Sequence, residues 1–148
     1  MKIGHCSDLH IDISATRLGK LRLKDGKNEV YLKRLSILDH IINTFIQEKV
    51  DMIILSGDIF DKPKPFPQEY YDVDQILKKV KDKVYLMNGN HDEFTQKGCG
   101  LQPFESMGYK VALEKTTFDK LVYFNPWGLP IKKEEKKHLE GKVLVLHA

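Results

Sequence analysis

Cysteine is scarce in this sequence, and long apolar runs are absent from it. The 148 residues include two cysteines, Cys6 and Cys99, too few for the disulfide framework that stabilises small secreted domains. No apolar segment approaches the roughly 20 residues that a helix needs to cross a bilayer. No signal-like apolar segment separates Met1 from the first predicted strand. These absences exclude disulfide-rich scaffolds and membrane-spanning proteins, and they predict a protein of the reducing cytoplasm with no membrane partner.

A strong excess of one charge is also missing. The net charge is +3 with 30% charged residues, a mildly basic balance that is compatible with an anionic substrate and selects none. The hydrophobic fraction of 41% over 148 residues is sufficient for a globular core. The sequence shows no internal repeat, low-complexity stretch or linker. We therefore expect residues 1–148 to form a single domain.

Apolar runs alternate with amphipathic segments along the chain. Met52–Ser56 is a largely apolar run typical of a buried strand, and residues 2–7, Val84–Met87 and Val143–Leu146 are also predicted to be strands. Residues 31–49 carry apolar side chains at spacings of three and four, which predicts an amphipathic helix, and residues 68–81 predict a second one. This order predicts an α/β fold that begins βαβαβ with parallel strands.

The remaining segments give weaker patterns. Residues 11–28 predict a long loop with a hairpin turn at Asp25-Gly26. Residues 111–113 and 121–124 predict two short strands that begin a second sheet. The turn-rich segment after them contains Trp127, which either anchors packing, the favoured interpretation, or stacks on a nucleobase.

Polar side chains of metal-ligand type follow the ends of four predicted strands. They are Asp8 and His10, then Asp58, then Asn90, and finally His147. Ligands in open α/β sheets bind outside the carboxyl ends of the strands, so we expect these side chains to converge. Carboxylate, amide and imidazole ligands without a thiolate suit Mn²⁺, Fe or Zn²⁺. A carboxylate has two oxygens, so Asp58 is the natural bridge between two ions about 3.5–4 Å apart.

Two further residues beside these ligands have catalytic chemistry. His91 follows Asn90 in a Gly-Asn-His-Asp turn, where it is predicted to act as a general acid or as an electrostatic clamp on a scissile phosphate. Asp61, three residues after Asp58, is predicted to orient His91. The alternative for His91 is a structural turn histidine. Asp92 is assigned to turn capping, outside the site.

These motifs, in this order, resemble those of the calcineurin-like metallophosphoesterase superfamily. They are Asp8-Leu9-His10, Gly57-Asp58-Ile59-Phe60-Asp61, Gly89-Asn90-His91-Asp92 and His147. Within the superfamily they are most similar to the nuclease subunit of the SbcCD type of DNA repair complex. The resemblance implies a β-sandwich flanked by helices that hydrolyses DNA with two Mn²⁺ ions and works with an SbcC-like ATPase subunit. It assigns Asp8, His10 and Asp58 to one ion, Asp58, Asn90 and His147 to the other, and catalysis to His91.

One motif of the family is missing from this sequence. Family members continue to a Gly-His-x-His motif whose histidines complete both metal sites, whereas this sequence stops at Ala148. We therefore expect a fold that is incomplete at its C-terminal end, with three protein ligands for each ion unless a second chain supplies the rest. Two alternatives stay open: a phosphodiesterase for nucleotides or other small phosphoesters, and a truncated, non-catalytic protein that binds DNA or a partner.

Overall fold

A computed structural model describes residues 1–14, 23–24, 27–95 and 98–147. The strands, in chain order, are β1 (Ile3–Cys6), β2 (Leu23–Lys24), β3 (Lys27–Asn28), β4 (Met52–Ser56), β5 (Val84–Met87), β6 (Glu93–Thr95), β7 (Gly98–Cys99), β8 (Lys110–Ala112), β9 (Thr116–Phe118), β10 (Val122–Asn125) and β11 (Val143–Leu146). The helices are α1 (Glu29–Gln47), α2 (Pro67–Leu77), α3 (Gln102–Ser106) and α4 (Lys136–Leu139), with 3-10 turns at Lys78–Val80 and Lys133–Glu135.

The main sheet has four parallel strands in the order β1-β4-β5-β8. Helix α1 connects β1 to β4, and α2 connects β4 to β5, so both predicted βαβ units are confirmed. Every residue of β4 is buried, because each face of the sheet is covered by another layer. This double burial explains why β4 is apolar without alternation.

Alternate residues of β4 supply two different cores. Ile53 and Leu55 belong to a cluster with buried side chains of the helices, among them Leu38 of α1 and Val73 of α2. The residues between them face the opposite way, towards a cluster that joins the two sheets; its buried members are Met52, Ile54, Tyr85, Met87, Ala112, Val122, Phe124 and Val145. The result is three layers, with helices on one face of the main sheet and a second sheet on the other.

The second sheet has the strand order β11-β10-β9. One prediction about it was wrong, because residues 111–113 do not begin this sheet: β8 pairs in parallel with β5 in the main sheet. Helix α3 precedes β8 and packs beside it, and this crossover returns the chain parallel to β5. Strand β11 pairs in parallel with β10 in the second sheet. The two sheets nevertheless bring the ends of β4, β5 and β11 together.

The helices begin and end close to their predicted limits. Helix α1 begins two residues early, because the Asn28 side chain caps it by accepting hydrogen bonds from the amides of Val30 and Tyr31. Helix α2 begins with Pro67 in its first turn, where a missing amide costs nothing. Among the described residues, no helix has the length and apolar character needed to cross a membrane. The predicted Asp25-Gly26 turn lies outside the described residues, but β2 and β3 on either side of it pair antiparallel.

Candidate metal centre

The loops that follow β1 and β4 run side by side at the carboxyl edge of the main sheet. Backbone amides of the first loop donate to carbonyls of the second: Asp8 to Gly57 at 3.2 Å and His10 to Asp58 at 2.9 Å. Three of these non-glycine residues have left-handed backbones, with φ values of 58° at Asp8, 47° at His10 and 51° at Asp58. Such conformations cost about 1–3 kcal/mol each and are concentrated at functional sites. The side chains of these three residues lie close together.

The first group of donor atoms comes from Asp8, His10 and Asp58. His10 Nε2 lies 3.9 Å from Asp8 Oδ1 and 3.7 Å from Asp58 Oδ2. On the other side of the imidazole, His10 Nδ1 lies 3.0 Å from Asp61 Oδ1. An ionised carboxylate only accepts, so the neutral imidazole of His10 donates from Nδ1 and has its lone pair on Nε2. Three electron-pair donors therefore face one another.

The second group has the same design. His147 Nδ1 lies 2.9 Å from the carbonyl oxygen of Ser56, which only accepts, so Nδ1 carries the proton. The lone pair of His147 Nε2 then faces Asn90 Oδ1 at 3.0 Å and Asp58 Oδ1 at 3.5 Å. In the neutral imidazole of His147, none of these three facing atoms supplies a proton.

Asp58 stands between the two groups. Its Oδ2 faces His10, and its Oδ1 faces His147. The residue is 3% exposed, and the amide of His91 donates to Oδ1 at 2.9 Å. One buried carboxylate thus offers a different oxygen to each group, as the bridge between two cations must.

The donor atoms fit divalent cations. Lone pairs that face one another repel unless positive charge lies between them. Here, the Nδ1 atoms of both histidines donate to protein oxygens, the arrangement that fixes the tautomer of metal-binding histidines. Oxygen and imidazole ligands without sulfur suit Mn²⁺, Fe or Zn²⁺. The structure therefore brings the predicted ligands together in two groups whose chemistry fits metal binding.

Asp61 and His91 lie beside the first group. His91 Nδ1 is 3.3 Å from the Asp61 carbonyl oxygen and 3.4 Å from Asp61 Oδ1. The same Oδ1 is closer to His10 Nδ1, at 3.0 Å. The two imidazoles meet edge to face, with centroids 4.8 Å apart. Asp61 therefore contacts both histidines, whereas the sequence pattern assigned it to His91 alone.

Two glycines permit the close approach of these side chains. A Cβ at Gly57, where φ is +94°, would lie 2.3 Å from His147 Nδ1. A Cβ at Gly89 would lie 2.2 Å from Asp58 Oδ1. Both distances are far below van der Waals contact, so any side chain at either position would displace a predicted ligand.

The sequence was compared with known protein families and proteins. The family model described as calcineurin-like phosphoesterase matches residues 1–148. The chain belongs to this family. Membership confirms the resemblance drawn from the motifs and the metallophosphoesterase type of α/β fold, and it places the donor groups in a family of metal-dependent phosphoesterases.

Similar proteins within this family include DNA repair proteins. The chain is 30% identical over 95 residues to the DNA double-strand break repair protein Mre11 of Methanococcus maripaludis, covering 62% of this chain and 23% of that protein. It is 33% identical over 93 residues to the Mre11 of Saccharolobus solfataricus, covering 60% and 23%. The double-strand break repair protein mre-11 of Caenorhabditis elegans is 27% identical over 66 residues, covering 45% and 8%. The match thus spans less than a quarter of each relative.

Two buried carboxylates that contact the loops of the candidate metal centre lie outside the predicted ligand set. Asp92 is fully buried and accepts hydrogen bonds from the amides of Gly89 at 2.9 Å and Phe60 at 3.2 Å, so it caps its turn and also ties that turn to the loop after β4. Burial raises the pKa of Asp92 to about 6, against the lowering effect of those hydrogen bonds. Glu69 is also fully buried. Its position three residues after the helix N-cap is the signal that sequence reasoning missed.

Proposed function

We propose that this chain hydrolyses the phosphodiester bonds of DNA with two divalent ions, Mn²⁺ by preference, as a nuclease of the SbcD type. The observation that carries the proposal is the placement of Asp58, whose two carboxylate oxygens face two separate groups of donor atoms. Family membership supports phosphoester chemistry. DNA as the substrate is supported by the relatives named for double-strand break repair.

The proposed roles follow from the contacts. Asp8, His10 and Asp58 would hold one ion, and Asp58, Asn90 and His147 the other. When bound, the ions would activate water for attack on phosphorus and would neutralise developing charge. His91 would pass a proton from Nε2 to the leaving oxygen. Its Nδ1 is not available for this role, because it faces the backbone carbonyl oxygen and the Oδ1 atom of Asp61. Asp61 would position both histidines through their Nδ1 atoms.

Further partners are part of the proposal. Each donor group contains three predicted ligands among the described residues, so each ion would have room for a fourth, and a histidine of a second chain would supply it. An ATPase subunit of the SbcC kind would act with the nuclease on DNA. Sedimentation of the purified chain with Mn²⁺ tests the first expectation, because ligand sharing between chains would make assembly depend on metal.

The test of function is Mn²⁺-dependent hydrolysis of bis-p-nitrophenyl phosphate and of linear duplex DNA by the His91→Ala variant and the parent chain. The variant should lose about 10²- to 10⁴-fold in kcat, the usual contribution of a positioned general acid, and retain its Mn²⁺ affinity. His40→Ala is the matched control, because His40 is an exposed histidine on α1. Equal activity of the two variants would contradict the role of His91.

The two substrates and a metal titration separate the competing functions. Hydrolysis of the small diester without cleavage of DNA would favour a small-molecule phosphodiesterase. Calorimetric titration should show two bound ions per chain. Weak or absent metal binding in a folded sample, together with DNA binding, would favour a non-catalytic binding protein.

A further inference from the structure

Trp127 stands beside the candidate metal centre. Its indole contacts the imidazole of His147, with ring centroids 6.1 Å apart and planes at 77°. The Nε2 atom of His147 faces Asn90 and Asp58. Trp127 is 38% exposed and belongs to neither of the two apolar clusters of the fold. A large aromatic surface is therefore open to solvent next to a proposed metal ligand.

The turn that carries Trp127 is fixed by contacts on both sides. The amide of Trp127 donates to the carbonyl of Asn88, at the end of β5, at 3.5 Å. Asn125, which is 6% exposed, donates from its side chain to the carbonyl of Leu129 at 2.7 Å, closing the turn. Pro126 precedes the tryptophan and restricts the backbone further. A side chain on such a backbone loses little conformational entropy when it binds a ligand.

Packing explains only part of this arrangement. Single exposed aromatics are common on protein surfaces and by themselves indicate nothing. Trp127 differs because it is partly exposed and its ring contacts His147, a proposed ligand of a phosphate-binding centre. The base of a nucleotide whose phosphate is bound at that centre can reach an indole that contacts a ligand of the same centre.

We propose that Trp127 is a stacking platform for the nucleobase attached to the phosphate at the metal centre. The inference rests on the proposed function and deepens it by assigning a base-binding subsite to this chain. Stacking on an indole accepts any base, because every base presents a π-face. It would therefore favour nucleotides over phosphodiesters without an aromatic group, and it would select no sequence.

Tryptophan fluorescence measures binding at this site directly, since Trp127 is the single tryptophan of the sequence. Deoxyadenosine monophosphate and 2-deoxyribose 5-phosphate are titrated in parallel in the presence of Zn²⁺, which avoids the quenching caused by paramagnetic Mn²⁺. The nucleotide should quench the indole emission. Added alone, the sugar phosphate should leave the emission nearly unchanged. Added to the complex with the nucleotide, it should displace the nucleotide and restore the emission, which would show that the two ligands share the phosphate site.

Calorimetry of variants tests the energetic contribution. Trp127→Ala should weaken nucleotide binding about 10-fold, within the range of one base stacked on an aromatic ring, and should change sugar phosphate binding by less than about 2-fold. Trp127→Phe should recover most of the loss. Tyr71→Ala, which removes another exposed aromatic on α2, should bind both ligands like the parent.

The outcomes distinguish this inference from the function on which it rests. Equal weakening of both ligands in Trp127→Ala would mean that the indole only supports His147, and the subsite would be refuted. If nucleotide and sugar phosphate bind the parent equally while linear duplex DNA is still hydrolysed, the proposed function stands and the stacking platform is refuted. If neither ligand binds while DNA is still hydrolysed, the stacking platform is refuted and the proposed function stands; if, in addition, DNA is not hydrolysed, both are overturned.

Discussion

Replacing Glu69 by glutamine should destabilise the fold, because this fully buried carboxylate joins the two loops of the metal centre to α2. Its Oε1 accepts from the amide of Ile13 at 2.6 Å and pairs with Lys62 Nζ at 3.1 Å. Its Oε2 accepts from the amide of Phe66 at 2.5 Å. Glutamine keeps the shape, but it loses the charge and replaces one acceptor with a donor.

The magnitude follows from which partners remain. The amide group of glutamine can satisfy one side only, so at least one partly buried N–H loses its acceptor, at a cost of about 1–3 kcal/mol. Removing one member of a buried ion pair costs about 3–5 kcal/mol when the other charge is left alone. Lys62 is not left alone, because Asp12 Oδ1 lies 2.7 Å from its Nζ. We therefore expect a loss of about 2–3 kcal/mol in the free energy of unfolding.

Urea unfolding followed by circular dichroism measures this loss, and Asp39→Asn supplies the control. Asp39 also pairs with a lysine, Lys79, at 2.5 Å, but both side chains are 40% exposed, and an exposed pair contributes about 1 kcal/mol or less. The Glu69→Gln variant should also melt roughly 5–10 °C lower than the parent. If the two variants differ by less than about 0.5 kcal/mol, the reasoning from burial is refuted.

Three further predictions follow from other contacts. Asp58→Asn should abolish binding of both ions together, as seen by calorimetry with Mn²⁺; retention of one ion at full affinity would show that Asp58 is no bridge. Gly57→Ala should weaken Mn²⁺ binding at least 10-fold, because its Cβ would collide with His147; unchanged stoichiometry and affinity would contradict this steric argument. Burial raises the pKa of Tyr70 to about 12, so the folded chain holds this proton more tightly than the unfolded chain. Its contribution to stability should be complete below about pH 10 and decline from pH 10 to 12; thermal melts across this range should show a steeper decline for the parent than for Tyr70→Phe.

The regular elements could be read largely from local pattern. The spacing of apolar residues predicted α1 and α2, and the apolar runs predicted β4, β5 and β11 to within a few residues. Their limits differ where a specific contact decides them, as when the Asn28 side chain starts α1 early.

The candidate site was less completely predictable. Every predicted ligand lies at the carboxyl end of a strand and near the others, since parallel strands end at a common edge. Their roles as ligands stay predictions. The pattern did not show that Asp61 contacts His10 as well as His91, because His10 is distant in sequence and reaches Asp61 only through the pairing of two loops. The burial of Glu69 was missed for the same reason: a glutamate in a helix is expected at the surface unless non-local partners satisfy it.

The sequence by itself determined the kinds of elements, the order of the strands that end in ligand-type side chains, and the family to which the chain belongs. Those properties depend on periodicity and short motifs, which are local. The tertiary structure alone decided that β8 joins the main sheet while β11 joins the second one, that each oxygen of Asp58 faces a different histidine, and that Trp127 stands exposed beside His147. These features depend on contacts between segments that are distant in the sequence. Such contacts form only when the layers of the fold pack together, so no local pattern can predict them.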